Sequence, residues 1–146
     1  MTQEEINDYN RRCAEFLGLK RGWWISQQKP LTDDKKQWCD LDGKTFLGSK
    51  VYFDKDLKFH SDWNWIMKVV EDIEELGYQF DITGNEVGVN SNIMSMENIS
   101  TGGTMNSYNR SYYPTIISIC EEDYSKKEAV VQAINQFLIW YNEQRT

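Results

Sequence analysis

The sequence contains few cysteines and histidines, the residues that form disulfides and metal sites in small folds and often act in catalysis. It contains one histidine, His60, and three cysteines, Cys13, Cys39 and Cys120, in 146 residues. Three scattered cysteines are too few for a disulfide framework or a zinc site. Any Ser-His-Asp or Cys-His arrangement would depend on His60 alone. We therefore predict a fold that packing alone stabilises, with no cofactor.

The chain also lacks a long apolar run and an excess of basic residues. No stretch approaches the length of a membrane span, and residues 1–8 are polar and acidic, so we expect a cytoplasmic protein with no membrane partner. The 16 basic and 23 acidic residues give a net charge of −7. That charge argues against a protein that binds nucleic acid by neutralising its phosphates. An acidic mimic of nucleic acid is an alternative, although solubility explains the charge more simply.

Aromatic residues are abundant and make up 14% of the chain, and the hydrophobic fraction of 40% is typical of a globular protein. The length fits one domain with a substantial core. We predict a single domain over residues 1–146. Its predicted parts are an N-terminal helix at 1–18, small strands or a hairpin at 20–58, and a helix–strand–long loop–strand–helix core at 59–146.

Two capping boxes mark the starts of helices. Thr2 with Glu5, and Ser125 with Glu128, have the spacing in which a hydroxyl and a carboxylate satisfy amides of the first turn. Apolar residues then recur at helical spacing, as they also do before Gly77. We predict helices over 1–18, 61–77 and 125–141.

Short β-favouring runs lie between these helices. Asp42-Gly43 is typical of a two-residue hairpin turn, and residues 78–82 and 115–120 have the composition of strands. The order of elements predicts an α+β fold. We expect an α/β sandwich with a mainly antiparallel sheet and about three helices packed on it.

Residues 90–113 are rich in Ser, Asn, Gly, Met and Tyr, and we predict a long loop there. A loop of this length is usually functional or disordered. Tyr, Ser, Gly and Asn suit adaptable binding surfaces, and methionine adapts to irregular partners. The alternative is a mobile, solvated connection. The candidate binding residues in this segment are Met94, Met96, Met105, Tyr108, Arg110, Tyr112 and Tyr113.

Two tryptophans, Trp65 and Trp140, fall outside the main apolar stripes of their predicted helices. We predict that they are surface aromatics that extend the binding site or form an oligomer interface. The alternative is that they belong to the core.

His60 lies close in sequence to Asp54, Asp56 and Asp62, which could bind a metal together with it. The simpler interpretation is that His60-Ser61-Asp62 caps the N-terminus of the second helix. The sequence has no P-loop and no GxGxxG motif. An enzyme is therefore the less favoured class.

Several stretches carry a family resemblance. They are Lys58-Phe-His-Ser-Asp-Trp-Asn-Trp, Val69-Val-Glu-Asp-Ile-Glu, Gly77-Tyr, Ser125-Lys-Lys-Glu-Ala and Ala133-Ile-Asn-Gln-Phe-Leu-Ile-Trp-Tyr-Asn. This pattern resembles small proteins of bacteriophages and Bacteroides-type genomes, and it is similar to the phage α/β/α (ABA) sandwich domain. The resemblance covers residues 58–142. It implies a phage or prophage accessory protein of the host cytoplasm, and it brings no catalytic residues.

Together these patterns predict a non-enzymatic, homo-oligomeric phage or prophage protein. Its expected partner is a host protein or a small nucleotide-like host molecule, such as a defence signal, which it would sequester. The alternatives are a metal-assisted hydrolase that uses His60 with nearby aspartates, and an acidic nucleic-acid mimic.

Overall fold

A computed structural model describes residues 1–22, 37–39, 51–100 and 107–145. These residues form three α-helices and eight strands in antiparallel sheets, which confirms the predicted α+β class. The elements are α1 (Gln3–Phe16), β1 (Lys20–Gly22), β2 (Gln37–Cys39), β3 (Val51–Phe53), α2 (Trp63–Glu75), β4 (Gln79–Thr83), β5 (Glu86–Asn90), β6 (Ser95–Ser100), β7 (Ser107–Tyr112), β8 (Thr115–Cys120) and α3 (Lys126–Gln144). None of the helices in these ranges is long and apolar enough to cross a lipid bilayer.

The chain divides into two compact units. The first comprises Met1–Asp72 with Ile134–Thr146, and the second comprises Ile73–Ala133. The division falls within α2 and within α3. A single domain over residues 1–146 stays a prediction.

Both predicted capping boxes are confirmed. At the start of α1, the Glu5 amide donates to Thr2 Oγ1 at 3.2 Å and the Thr2 amide donates to Glu5 Oε2 at 2.8 Å. At the start of α3, the Glu128 amide donates to Ser125 Oγ at 3.1 Å and the Ser125 amide donates to Glu128 Oε2 at 3.4 Å. Each box satisfies amides that would otherwise have no partner in the first turn, so it determines where the helix begins.

The first unit contains a three-stranded antiparallel sheet in the order β1–β2–β3. These strands confirm the small strands predicted within 20–58. The hairpin predicted at Asp42-Gly43, and Trp23 and Trp24, lie outside the described residues. Large side chains with little or no exposure form the core of this unit, and they include Tyr9, Trp38, Leu57, Phe59, Ile66 and Phe137.

The second unit contains a three-stranded antiparallel sheet in the order β4–β5–β8. Apolar side chains alternate with exposed neighbours along its strands, as expected where one face is buried and the other is open. The buried side chains are Phe80, Val87, Val89, Ile117 and Ile119. The β4–β5 hairpin turns at Gly84, whose φ of +63° lies in the region that glycine adopts without strain.

The long loop predicted at 90–113 is wrong for most of its length, because β6 and β7 occupy 95–100 and 107–112 as an antiparallel pair. Residues 101–106, including Met105, lie outside the described residues. A two-stranded pair has no continuous buried face, so its sequence lacks the apolar alternation that reveals a half-buried strand. The pairing is instead supported by residues that sit opposite each other across the two strands.

Candidate functional site

Exposed apolar side chains concentrate on and beside the antiparallel pair β6–β7, which we call the arm. Within the described part of the chain, six of the eleven exposed large hydrophobic side chains belong to residues 93–113. They are Ile93, Met94, Met96, Tyr108, Tyr112 and Tyr113. Clusters of exposed apolar side chains commonly mark interaction sites. The arm is therefore the first candidate for a functional surface.

One face of the arm carries a row of tyrosine, arginine and tyrosine. Successive strand residues point to opposite faces, so Tyr108, Arg110 and Tyr112 share a side, and their cross-strand partners lie on it as well. Arg110 Nη2 lies 2.6 Å from Glu97 Oε1, and its guanidinium carbon lies 5.7 Å from the centroid of the Tyr112 ring. These two contacts hold the arginine between its strand partner and the neighbouring ring. We call this side the Tyr–Arg–Tyr face.

The opposite face of the arm is mostly polar. Asn98 Nδ2 donates to Asn109 Oδ1 at 3.0 Å across the two strands. Met96 lies on this side opposite Ser111 and is one of the most exposed apolar residues described, at 67%. The arm thus has one aromatic and charged face and one face of amides, hydroxyls and a thioether.

The base of the arm is tied to the sheet of the second unit. The β5–β8 ladder shifts register between Val89 and Asn90, and the Ser91 amide then donates to the Pro114 carbonyl at 2.6 Å. Thr115 Oγ1 donates to Asn90 Oδ1 at 3.1 Å. β6 follows β5 in the chain, and β7 precedes β8. Through these bonds, the β6–β7 pair extends the β5–β8 ladder past the end at which β4 pairs with β5. Such a base limits how far the arm can swing.

The outer edge of β7 is open. All six residues of β7 are exposed, and among the described residues β7 pairs only with β6. An edge strand presents backbone amides and carbonyls that another chain can pair with. The edge of β7 therefore has the backbone groups that an added strand would need.

Trp65 is not a surface aromatic, so its predicted place in the binding site is wrong. It is 4% exposed, and its ring packs edge to face with Tyr52 and Phe59 at centroid distances of 5.2 and 4.8 Å. Both partners lie outside α2, so the apolar stripe of the helix alone does not reveal these contacts. Trp140 is half-buried, with its ring tilted against Phe137 at 5.8 Å. Its role at an interface stays a prediction.

The structure does not support the alternative in which Asp54 binds a metal. Both oxygens of its carboxylate are engaged: Oδ1 accepts from Trp38 Nε1 at 2.7 Å, and Oδ2 accepts from Arg21 and Arg11 at 2.9 and 3.1 Å. Burial alone would raise the pKa of Asp54, but the hydrogen bonds from Trp38, Arg21 and Arg11 outweigh it and hold the pKa below 3.8. Asp54 instead connects α1, β1 and β2.

The other residues of the predicted metal site are His60, Asp62 and Asp56. The first two make structural contacts, and the third is exposed. His60 Nδ1 lies 3.1 Å from Asn10 Nδ2, and Asp62 Oδ1 accepts from the Asn64 amide at 2.9 Å, which confirms the predicted cap at Asp62. Burial lowers the pKa of His60. Asp56 is exposed. Among the described residues, no group of three or more His, Cys, Asp or Glu side chains could hold a metal ion.

A shallow groove of about 370 Å³ crosses the open face of the β4–β5–β8 sheet. Polar and apolar surface contribute almost equally to its lining, which comprises Asp81, Thr83, Glu86, Val87, Gly88, Asn90, Thr115, Ser118, Ile119 and Cys120. Cys120 Sγ donates to Glu86 Oε1 at 3.4 Å, and this hydrogen bond raises the pKa of the thiol. A protonated thiol is a poor nucleophile, and the lining contains no histidine that could activate it. The groove therefore lacks the chemistry of a cysteine-dependent active site.

Comparisons of the chain with protein-family models, curated proteins and solved structures find no match. The resemblance to the phage α/β/α sandwich domain therefore stays a prediction.

One residue of the arm, Glu97, and one residue beside it, Ile93, were missed in the sequence analysis. Among the described residues, Ile93 is the most exposed large apolar residue at 71%, and Glu97 is the ion-pair partner of Arg110. The positions of the charged residues could have revealed the pairing of Glu97 with Arg110. Glu97 and Arg110 lie at near-mirrored positions on either side of residues 101–106, as opposite charges do when they face each other in a hairpin. Ile93 stands alone in sequence and offers no such signal.

Proposed function

We propose that this protein is a non-enzymatic binding protein that captures a protein partner through the arm. The observation that carries the proposal is the concentration of exposed Tyr, Met and Ile side chains on and beside one regular two-stranded element. Tyrosine is enriched where proteins bind each other because it provides a large contact area and loses little conformational entropy.

The shape of the arm favours a protein over a small molecule as the partner. Small ligands bind in concave pockets that cover most of their surface. Every residue of β7 is exposed, and Met96 and Asn98 on β6 are exposed as well, so a small molecule would stay largely in water there. A protein can cover both faces and the edge together.

The arm is also organised before binding occurs. The six cross-strand pairs of β6 and β7 and the bonds at its base limit the conformational entropy that a partner would have to remove. The phage or prophage origin and the host-cell location belong to the same proposal and rest on the family resemblance. A homo-oligomer is part of it too, with half-buried Trp140 as the motivating residue.

The test compares two triple variants of the full chain in a lysate of Bacteroides-type cells. The arm variant carries Met96→Ser, Tyr108→Ser and Tyr112→Ser. Its control carries Met67→Ser, Leu76→Ser and Ile139→Ser, which remove three exposed large apolar side chains from α2, from the segment after α2 and from α3. Far-ultraviolet circular dichroism verifies that both variants are folded.

We expect the wild type and the control to retain a protein at whole-number stoichiometry in native mass spectrometry, and the arm variant to lose it. Retention of the same partner by the arm variant would refute the role of the arm. Retention of a small molecule alone, by all three proteins, would refute the protein-binding function.

A further inference from the structure

We propose that the partner supplies an extended segment that pairs antiparallel with the outer edge of β7 and places an acidic residue beside Arg110. This inference rests on the proposed function and names the chemistry of the partner. Three features of the arm lead to it: the open backbone edge, the residues that already pair with β7, and the unused hydrogen-bonding capacity of Arg110.

The backbone of β7 is prepared for a third strand. Its six residues pair in an unbroken register with β6, from Ser95 opposite Tyr112 to Ser100 opposite Ser107. In an antiparallel ladder, alternate residues direct their amides and carbonyls away from the existing partner. Within the described residues, no strand pairs with those outward groups. An incoming strand would satisfy them and turn the pair into a three-stranded sheet.

The β7 edge is a better acceptor than the β6 edge. Every side chain of β7 is exposed, whereas Ser95, Glu97 and Ile99 of β6 are half-buried. A strand that docks at β7 therefore meets exposed side chains, including both tyrosines and the arginine of the Tyr–Arg–Tyr face. The same strand at β6 would meet residues that are already partly covered.

The residues of β6 show which side chains β7 accepts. Ile99 lies opposite Tyr108, Glu97 opposite Arg110, and Ser95 opposite Tyr112. Aromatic with β-branched pairs and pairs of opposite charge are the favourable cross-strand combinations. A segment with a small, an acidic and a β-branched apolar residue at alternate positions would repeat these pairs on the other side of β7. In an antiparallel strand, these three residues, read from the N-terminus, would lie opposite Tyr112, Arg110 and Tyr108 in turn.

Arg110 has capacity for a second carboxylate. A guanidinium carries five N–H donors, and the side chain of Arg110 remains 57% exposed while one nitrogen contacts Glu97. A second acidic residue can therefore bind without displacing Glu97. The same positive charge repels a basic segment, so Arg110 selects among candidate strands.

The test uses nuclear magnetic resonance of the ¹⁵N-labelled full chain with two blocked hexapeptides. One has the sequence of β6, Ser-Met-Glu-Asn-Ile-Ser, and the other replaces its glutamate with lysine. We expect the first peptide to shift the amides of 107–112, and the lysine peptide to bind about tenfold more weakly because like charges then face each other. The Arg110→Glu variant should reverse this preference.

The matched control is Arg145→Glu, which also removes an arginine lying over a tyrosine ring, since the guanidinium of Arg145 is 5.4 Å from the ring centroid of Tyr141. It should leave the preference unchanged. Equal binding of both peptides, shifts confined to residues outside the arm, or no shift in the millimolar range would overturn the inference. Concentration-dependent shifts of 107–112 without any peptide would also overturn it, because a second copy of the chain would then occupy the edge.

The lysate experiment separates the two proposals. If the arm variant loses its partner but Arg110→Glu keeps it and neither peptide binds, the arm binds by another mode and only the strand-addition inference fails. If the arm variant keeps its partner, the proposed function fails and the inference fails with it.

Discussion

Replacing Asp54 with alanine should destabilise the first unit by about 3 kcal/mol. Hydrogen bonds that involve a charged group contribute roughly 1.5–3 kcal/mol, and exposed ion pairs roughly 0–1 kcal/mol. The bond from Trp38 at 2.7 Å falls in the first class. The ion pairs with Arg21 and Arg11 contribute less than the Trp38 bond because they are more exposed to solvent. The Arg21 side chain is 20% exposed, so its pair contributes about 1 kcal/mol, and the Arg11 side chain is 42% exposed, so its pair contributes about 0.5 kcal/mol.

Asp72→Ala is the matched control, because the side chains of Asp72 and Asp54 are both 24% exposed. Asp72 pairs with Lys68 at 3.1 Å across one helical turn, so its loss should cost only about 0.3–0.5 kcal/mol. Urea unfolding followed by tryptophan fluorescence measures both changes. Equal destabilisation of the two variants would refute the view that Asp54 holds α1, β1 and β2 together.

The contribution of Asp54 should also depend on pH. Burial opposes ionisation, but the hydrogen bonds from Trp38, Arg21 and Arg11 are stronger and keep the folded pKa below 3.8. The unfolded chain therefore takes up the proton first as the pH falls. The stability difference between the wild type and Asp54→Ala should be constant above pH 3.8 and should shrink below it. A difference that grows in acid would contradict this sign.

Three further results are expected. Burial lowers the pKa of His60 below 6.5, so the wild type should lose stability as the pH falls below 6.5 and His60→Gln should not, as urea unfolding across that range would measure. Phe137→Ala should cost about 3–5 kcal/mol in thermal or urea unfolding, because the ring is fully buried. The hydrogen bond to Glu86 raises the pKa of Cys120, so Glu86→Gln should speed the alkylation of Cys120 by iodoacetamide near pH 8.

The starts of α1 and α3 could be predicted from the sequence because a capping box is a local signal. Thr2 and Glu5, and Ser125 and Glu128, lie three residues apart, and the amides that they satisfy belong to the same turn. β4 and β8 could also be predicted from local sequence, because residues 78–82 and 115–120 have the composition of strands.

The arm could not be predicted as a pair of strands, because neither of its faces is buried and its order depends on partners across residues 101–106. Its composition still identified Met94, Met96, Tyr108, Arg110, Tyr112 and Tyr113 as candidates. All six are exposed. In this segment, the amino-acid composition predicted which side chains are exposed but did not predict the backbone conformation.

Trp65 failed as a surface prediction for a different reason. A helical stripe shows which residues face the same side, but not what else covers the helix. Tyr52 and Phe59 reach Trp65 from outside the helix, and the sequence contains no local sign of that contact.

Hydrogen exchange of the amides in 107–112, measured on the full chain before and after capture of its protein partner, tests the central claim most directly. We predict that exchange at alternate residues of β7 slows on binding, while the amides of β5, which pairs with a strand on each side, change little. Unchanged exchange throughout β7, with new protection appearing outside the arm, would contradict the claim that the arm binds the partner.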